Sequence, residues 1–592
     1  MCGIFGYIGK RDAKRIIVEG LKRLEYRGYD SWGIALLEKG KIHQYRDISE
    51  ISTNKRILDL PCSNIGIGHT RWATHGGVSK KNAHPHISLT KDFTLVQNGI
   101  VENFEDLKKD LIAKHVTIKS ETDTEIIVRL IEEARNKEKN LKESIISVFE
   151  RLKGRNTIAV LDSKNGKIYA IRNGSPLILG IGKEEIFLAS DTLSFSPYCK
   201  NIVVVDNLEM VEIEHNSFKV TDLTNSKVKN VTVTKLKYLY EDIDKGEYKH
   251  YMLKEIVEQS NTFINAIAYS EKDLQSLSKS IKQSSRVYII GAGTAGFAAG
   301  QIAYFLRNIG GIDAQDLRSY EFASYLPIVK PTDLIVALSQ SGETADTIEA
   351  LEELKKKGCK IASLVNMLGT TISRLSDYQF FSNAGPEICV ASTKVFTSQC
   401  VWGYILAKNI VGDLKGGKRE ILTLAKELKT FFSSKNLSSI DEISKKLVKQ
   451  EHMFILGKGQ NFNIALEGSL KIKEISYKHV EGFAAGELKH GVIALIEKGT
   501  VVFGILSNDR DSKDILSAME QVKARGAFTI GIGDKKFKKK DVFDRYIVTP
   551  GRDIASSITN VIPFQLISYY LSVRLGNNID KPRNLAKSVT VK

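Results

Sequence analysis

Leu334-Ile335-Val336-Ala337-Leu338 runs directly into Ser339-Gln340-Ser341-Gly342-Glu343-Thr344, and Thr347-Ile348-Glu349-Ala350-Leu351-Glu352-Glu353-Leu354 follows. The apolar run reads as a buried strand, and the later segment repeats its apolar residues at helical spacing. Ser339 to Thr344 therefore form a strand-to-helix turn with three hydroxyls, one amide and one glycine. A helix N-terminus offers unpaired N–H groups and the positive end of a dipole, which suits a phosphate. Gly342 lets the backbone approach a bound oxyanion closely. No lysine follows in Walker spacing, so a sugar monophosphate fits better than a nucleoside triphosphate. An ordinary capped helix start has the same local pattern.

Working outward, the unit recurs. Arg286-Val287-Tyr288-Ile289-Ile290 leads into Gly291-Ala292-Gly293-Thr294-Ala295-Gly296, and Met453-Phe454-Ile455-Leu456 leads into Gly457-Lys458-Gly459. The turn at Ser339 has a counterpart at Ser507-Asn508-Asp509. Gly457 follows Gly291 by 166 residues and Ser507 follows Ser339 by 168, so the C-terminal half reads as a duplicated unit of alternating strands and helices. That predicts an α/β class with two doubly wound parallel sheets. Gly291 to Gly296 also spells G-x-G-x-x-G, with Asp313 near the place of a ribose-binding acid, which is the signature of a dinucleotide-binding domain. Two features weigh against it: the further ligand-type turn at Ser339, and the missing third glycine in the second copy.

At 592 residues the chain should hold several domains, about four on length alone. Its 42% hydrophobic content suffices for packed cores. No apolar run is long enough to span a bilayer, and no basic segment precedes a signal-like core. The six cysteines form no C-x-x-C pair, so reduced thiols in a cytoplasmic setting are expected. The net charge is +17, with lysines scattered over amphipathic helices and one dense cluster, Lys535 to Lys540, that reads as a solvated loop. No nucleic-acid partner and no membrane partner are expected.

The chain begins Met1-Cys2-Gly3. Cys2 is small enough for the methionine to be trimmed, which would leave a free α-amine beside the thiol. An amine with a pKa of about 8 can take the thiol proton without a histidine. Alone, Cys2 reads equally as a small buried residue. Leu24-Glu25-Tyr26-Arg27-Gly28-Tyr29-Asp30-Ser31, His69-Thr70-Arg71-Trp72-Ala73-Thr74-His75-Gly76, Asn82-Ala83-His84-Pro85-His86, Leu95-Val96-Gln97-Asn98-Gly99-Ile100 and Ser120-Glu121-Thr122-Asp123-Thr124-Glu125 follow. The four histidines from His69 to His86 lack helical i, i+4 spacing and a thiol neighbour, so no metal site is expected.

Together these motifs resemble the class II glutamine amidotransferase family, of the N-terminal-nucleophile type, and the resemblance implies an α/β/β/α sandwich over residues 2–239. It implies that Cys2 attacks the glutamine side-chain amide and that Asn98 with the N–H of Gly99 forms the oxyanion hole. By the same resemblance Arg71 clamps the substrate carboxylate and Asp123 pairs with its ammonium. Thr74 and His75 line the pocket, Arg27 sits near the nucleophile and Trp72 closes the site. The family often has histidine where Gln97 stands, and proline where Gly77-Val78 stands.

Asn201 to Leu239 alternates apolar and polar residues, including Val231-Thr232-Val233, and reads as closing strands. The polar stretch 240–249 reads as a linker, and His250 to Ile256 opens a helix. The two copies resemble sugar isomerase (SIS) domains, expected at 250–425 and 426–582, with a catalytic tail at 583–592. That resemblance implies that Thr294, Ser339, Gln340, Ser341 and Thr344 bind a sugar phosphate, with Val390 and Ala391 beside the sugar. Ala295 stands where a serine is common. Lys471 and Glu474 are i, i+3 neighbours, which by spacing alone is a surface ion pair. The resemblance makes them proton-transfer groups, with His490 supplied by a partner subunit of a homodimer and Lys587 as the Schiff-base amine. A near-terminal lysine is otherwise simply solvated.

The whole arrangement implies that L-glutamine and fructose 6-phosphate are converted to glucosamine 6-phosphate and glutamate, with no cofactor and no metal. Ammonia must then travel unprotonated, so a dry internal passage is expected. A sugar-phosphate sensor with a vestigial amidase is the competing reading, and the intact set Cys2, Arg71, Asn98 and Asp123 argues against it.

Overall fold

A computed structural model of the chain describes residues 2–51, 54, 56–138, 140–236 and 245–590. Met1, whose trimming the nucleophile requires, and residues 237–244, which include the expected end of the first domain and half of the linker, lie outside the described residues. The described chain divides into two compact units, 2–236 with 588–590, and 245–587.

In the first unit the strand Gly3–Gly9 shows how two layers arise from a period of two. Ile4 and Ile8 face one side, and Phe5 and Tyr7 face the other. Eight antiparallel strands form its sheet, in the spatial order Thr234–Lys235, Asn201–Val204, Ile178–Ile181, Glu185–Ala189, Gly3–Gly9, Ile65–Arg71, Ser31–Glu38 and Lys41–Asp47. A second sheet runs Lys227–Val228, Ser217–Asp222, Glu209–Glu214, Lys167–Asn173, Asn156–Asp162, Phe93–Gly99 and His86–Ile87. Ile4, Ile8, Ile65 and Ile67 of the first sheet share a core with Val96, Ala159, Leu161 and Ala170 of the second, so the sheets stack face to face. Phe5, Tyr7, Ile34 and Leu36 cover the other face with the helix Ala13–Leu24. The helices Phe104–Ala113, Asp123–Ala134 and Leu141–Phe149 cover the outer face of the second sheet. This is the α/β/β/α sandwich. Val231 to Val233 alternate in sequence but form no strand, since the flanking pairings at Lys227–Val228 and Thr234–Lys235 are only two residues long.

The second unit holds two five-stranded parallel sheets with the same topology. The first is ordered Ala314–Arg318, Val287–Gly291, Leu334–Ser339, Lys360–Val365, Tyr378–Phe381. The second is ordered His479–Ala484, His452–Gly457, Val501–Leu506, Phe528–Gly533, Arg545–Val548. The duplication read from residue offsets is therefore structural. Leu334, Val336 and Leu338 enter a core shared with Met453, Ile455, Val501 and Phe503 of the other copy, while Ile335 and Ala337 enter a separate outer layer. Both faces are covered, which is why the strand is apolar throughout rather than alternating. In each sheet the chain order reverses between the first and third strands, and ligands of such sheets bind at that crevice.

Helix packing brings the copies together. A Cβ on Gly300 would lie 2.4 Å from Oδ1 of Asn463, so the helices Gly293–Asn308 and Phe462–Ser476 approach closely only because position 300 lacks a side chain. The expected boundary at 425/426 lies inside the helix Leu414–Phe431. Asp313 precedes the strand Ala314–Arg318 and pairs with Arg286 at 3.2 Å. A ribose-binding acid must stand at the opposite, C-terminal end, where this chain has Arg318, so the dinucleotide pattern is coincidental.

Candidate active sites

Cys2 stands at the start of the strand Gly3–Gly9. Its Sγ accepts the N–H of Trp72 at 3.4 Å. Burial pushes the thiol up, while that N–H and the Arg71 guanidinium pull it back. Arg27 donates to the Cys2 carbonyl at 3.5 Å and pairs with Asp191 at 3.2 Å, both side chains buried. Tyr26 also donates to Asp191. Asn98 donates to Ser190 Oγ at 2.7 Å, and Ser190 Oγ accepts the N–H of Ile4 at 2.8 Å. The expected oxyanion donor is thus tied to the strand that carries the nucleophile.

His69 Nε2 lies 2.8 Å from Gln97 O and 3.2 Å from Asn98 Oδ1. Both neighbours are acceptors, so Nε2 carries the proton. Burial holds His69 down at about 3, hence neutral at every physiological pH. It stacks on His84 at 4.2 Å, and His84 and His86 bond to Thr124 and Thr122 at 3.0 Å each. His84 and His86 are thus tied to the cap and first turn of the helix Asp123–Ala134, and His69 to the strand Phe93–Gly99. Among the described residues no group of three or more His, Cys, Asp or Glu is placed to hold a metal ion.

Gly99 has φ +126°, and a Cβ there would lie 2.0 Å from Arg155 O, so glycine is obligatory. Asp123 opens its helix behind the Thr122 cap and accepts the N–H of Val101 at 2.9 Å. Burial raises its carboxyl, and the Val101 N–H opposes that. Gln97, the departure from the family pattern, is buried and donates to Asn156 at 2.7 Å and to Asp123 at 3.4 Å. Thr124 donates to its Oε1 at 2.5 Å. An imidazole has too few groups to make all three bonds. Arg71 donates from its two Nη atoms to the carbonyls of His75, Gly76 (2.9 Å) and Gly77 (3.2 Å), holding the loop that carries His75 with three of its five N–H groups. His75 lies edge-on to Phe104 at 5.3 Å, Trp72 is half-buried and Thr74 is exposed. Asn82 and Glu121 pin the same loop, and Asp30 accepts the Ala73 N–H at 2.7 Å.

In the second unit, the turn after Leu334–Ser339 lies at the crevice of the first parallel sheet. Ser339 Oγ accepts the N–H of Gly342 at 2.9 Å and meets Thr344 Oγ1 at 2.9 Å. Ser341 Oγ accepts the Glu343 N–H at 3.2 Å. Gly342 has φ +66°, and a Cβ would lie 2.2 Å from Thr370 Oγ1. The Glu343 carboxylate turns away to the Thr371 N–H at 2.7 Å, so the crevice side keeps only hydroxyls and amides. Thr344 leaves its helix without a side-chain cap. The counterpart turn in the second copy is different. Asp509 accepts the N–H groups of Asp511 and Ser512 at 3.0 Å each, so its own carboxylate fills the place an anion would take.

Gln340 O accepts the N–H of Asn366 at 3.1 Å, and Asn366 Nδ2 donates to Gly385 O at 2.8 Å. Two residues on, Glu387 pairs with Lys587 at 2.6 Å, and Lys587 Nζ also donates to Cys389 O at 2.7 Å. Both side chains are essentially inaccessible, 1% and 0% exposed, so this terminal lysine is buried and not solvated. Glu387 accepts the Thr393 and Val395 N–H groups at 2.8 and 3.1 Å, which curls the segment holding Val390 and Ala391 around it.

Lys471 and Glu474 pair at 2.6 Å, and the lysine is fully buried, so the pair is internal. Lys471 also faces Glu467 at 3.3 Å and donates to Thr294 Oγ1 at 3.0 Å. Burial raises Glu467 to about 8, against the pull of Lys471. The Glu387 carboxylate helps hold Lys471 protonated, so the two lysine clusters adjoin. Glu467, Asp191, Ser190 and Asn366 were not singled out in the sequence. Positions 467, 471 and 474 do share one helical face, which was the available signal. His490 ends a short 3₁₀ turn, Ala485–His490, is exposed, and among the described residues makes no hydrogen bond or ion pair with the other candidate groups. Lys471→Ala removes the cation that two carboxyls face. We expect a loss of roughly 2–4 kcal/mol in thermal or denaturant melts at pH 8.5. The loss should shrink at pH 6, where Glu467 takes a proton.

The glutamine amidotransferase domain family matches residues 69–196, and the SIS domain family matches 280–408 and 446–575. The fold and the family matches thus define an amidotransferase-type sandwich joined in one chain to a doubled sugar-isomerase fold. The chain is 41% identical to the glutamine–fructose-6-phosphate aminotransferase (isomerizing) of Pyrococcus horikoshii and 39% identical to that of Aquifex aeolicus, over the full length of each. The C-terminal domain of glucosamine-fructose-6-phosphate aminotransferase from Francisella tularensis covers 57% of this chain and all of its own, with 33% identity and a TM-score of 0.52. A putative tagatose-6-phosphate ketose/aldose isomerase from Clostridium novyi gives the same TM-score at 17% identity, over 57% of this chain and 93% of its own. The chain belongs to the glutamine–fructose-6-phosphate aminotransferase (isomerizing) family.

Proposed function

We propose that this protein transfers the amide nitrogen of L-glutamine to fructose 6-phosphate and isomerises the product to glucosamine 6-phosphate. The observation that carries the sugar half is the bonded path from the phosphate-type turn to a buried lysine: Gln340, Asn366, Gly385, Glu387, Lys587. In the first half, the Cys2 sulfur attacks the glutamine amide carbon. The oxyanion is held by Asn98 and the Gly99 N–H, ammonia leaves, and water frees glutamate. Arg71 and Asp123 recognise the α-carboxylate and α-ammonium, Arg27 supports the nucleophile, and Trp72, Thr74 and His75 form the pocket wall.

In the second half, Thr294, Ser339, Gln340, Ser341 and Thr344 hold the phosphate, and Val390 and Ala391 lie beside the sugar. His490, reaching in from a partner subunit of a homodimer, assists ring opening. Lys587 forms the imine at C2, ammonia displaces it, and Glu474 carries a proton between C1 and C2 with Lys471 beside it. The domain division follows the two compact units, with the repeats meeting near the helix Leu414–Phe431 and Lys587 of the tail completing the sugar site. Among the described residues no helix is long and apolar enough to cross a membrane. The reading is tested by incubating the protein with glutamine and fructose 6-phosphate and identifying the products. Glucosamine 6-phosphate and glutamate in equal amounts are expected, and glutamate without an amino sugar would overturn the reading.

A further inference from the structure

The helix Tyr251–Val257 is capped by Asp580, whose carboxylate accepts the N–H groups of Tyr251 and Met252 at 3.0 Å each. One turn on, Glu255 is buried, with 2% exposed. Its Oε1 accepts the backbone N–H groups of Ile388 (2.5 Å) and Cys389 (3.2 Å). Its Oε2 is enclosed and has no hydrogen-bond partner among the described residues. On the far side of the same segment, Cys389 O receives the Lys587 ammonium. Carboxyl, peptide and ammonium therefore lie in one bonded line.

The ammonium groups around this line are not shared evenly. Lys394 and Lys254 both pair with Glu258, at 2.8 and 3.7 Å, and Lys587 pairs with Glu387 at 2.6 Å. Glu255 faces Glu387, Lys587 and Lys394, with the Cys389 thiol also beside it, and is left as the carboxyl without an ammonium of its own. We propose that Glu255 is a positioning residue for Lys587: it fixes the peptide that grips the ammonium, and as the unmatched carboxyl of the cluster it sets how readily that ammonium gives up its proton. The inference rests on the reading of Lys587 as the imine-forming amine.

Imine formation needs the free amine. Lys587 passes a proton to Glu387, and the nitrogen lone pair then forms a bond to the sugar C2 as the carbonyl π bond breaks. The carbonyl oxygen, having gained one proton from that nitrogen and one from Glu387, leaves as water, and the cationic imine remains opposite the Glu387 carboxylate. A second carboxylate in the cluster would hold the ammonium proton more tightly. Burial and the neighbouring Glu387 charge raise Glu255 to about 8, so it is neutral at pH 7 and ionises above about pH 8.

The test is borohydride trapping of fructose 6-phosphate on the full chain, with a thermal melt and circular dichroism as the folding control and glutaminase activity as the control for the other compact unit. Glu255→Ala should trap at least tenfold more slowly with glutaminase unchanged. Glu255→Gln keeps the acceptor oxygen and should trap within threefold of the parent at pH 7. Above pH 8.5 it should trap at least threefold faster than the parent, because it has no charge to gain. Wild-type trapping by a folded Glu255→Ala, or a Gln variant that follows the parent profile throughout, would overturn the proposal. If the Ala variant fails to fold, the Gln profile decides. Lys587→Ala run in parallel separates the readings. An adduct that survives there removes Lys587 itself, whereas its loss there beside an unaffected Glu255→Ala removes only the role of Glu255.

Discussion

Cys2→Ala should abolish glutamine hydrolysis, by at least about a thousandfold, and should leave the interconversion of fructose 6-phosphate and glucose 6-phosphate intact. The expected loss is large because, in the proposed reading, the sulfur forms the covalent intermediate, and no neighbouring side chain substitutes for it. Trp72 offers only backbone groups, and Arg27 and Arg71 carry no thiol or hydroxyl. The fold tolerates the change, since the thiol makes only weak bonds to the Trp72 peptide and the strand Gly3–Gly9 is fixed on both edges by backbone pairing. Isomerisation survives because its groups lie in the separate compact unit 245–587. Assays of glutamate release and of sugar-phosphate exchange on the same preparation read both arms. Retained glutaminase would remove Cys2 as nucleophile.

Lys587→Ala should eliminate the borohydride-trapped sugar adduct and the synthesis of amino sugar, while glutaminase continues. It also leaves Glu387 buried without its ammonium, at a cost of about 3 kcal/mol, so a melt must accompany the assay. Lys587→Arg is the sharper variant. A guanidinium can pair with Glu387 but does not form an imine, so near-normal stability with no adduct is expected. An undiminished adduct in either variant would exclude this lysine.

Much of this was legible in the sequence because the chemistry is local there. Ser339 to Thr344 lie on one turn, and strand alternation at Ile4/Phe5 and the full burial of Leu334–Leu338 follow from residue type alone. The repeat was visible because both copies keep a glycine turn after the first strand and a polar turn after the third. What the sequence hid are partners that fold topology supplies. Asp191 meets Arg27, Asn366 bridges two loops, and Glu255 reaches a segment more than a hundred residues away. Lys471 with Glu474 looked like a surface pair because spacing fixes a helical face but not what covers it. Here the close approach allowed by Gly300 brings Thr294 over that face. The second-copy turn at Ser507 matched by position, yet Asp509 caps its amides, a difference that only the hydrogen bonds reveal.

The most direct test of a single coupled transfer uses glutamine labelled with ¹⁵N in its side-chain amide, together with fructose 6-phosphate and a large excess of unlabelled ammonium. If the nitrogen freed at Cys2 reaches the imine at Lys587 without mixing with solvent, the glucosamine 6-phosphate formed carries the label undiluted. Product diluted to the isotopic composition of the bulk ammonium would contradict it.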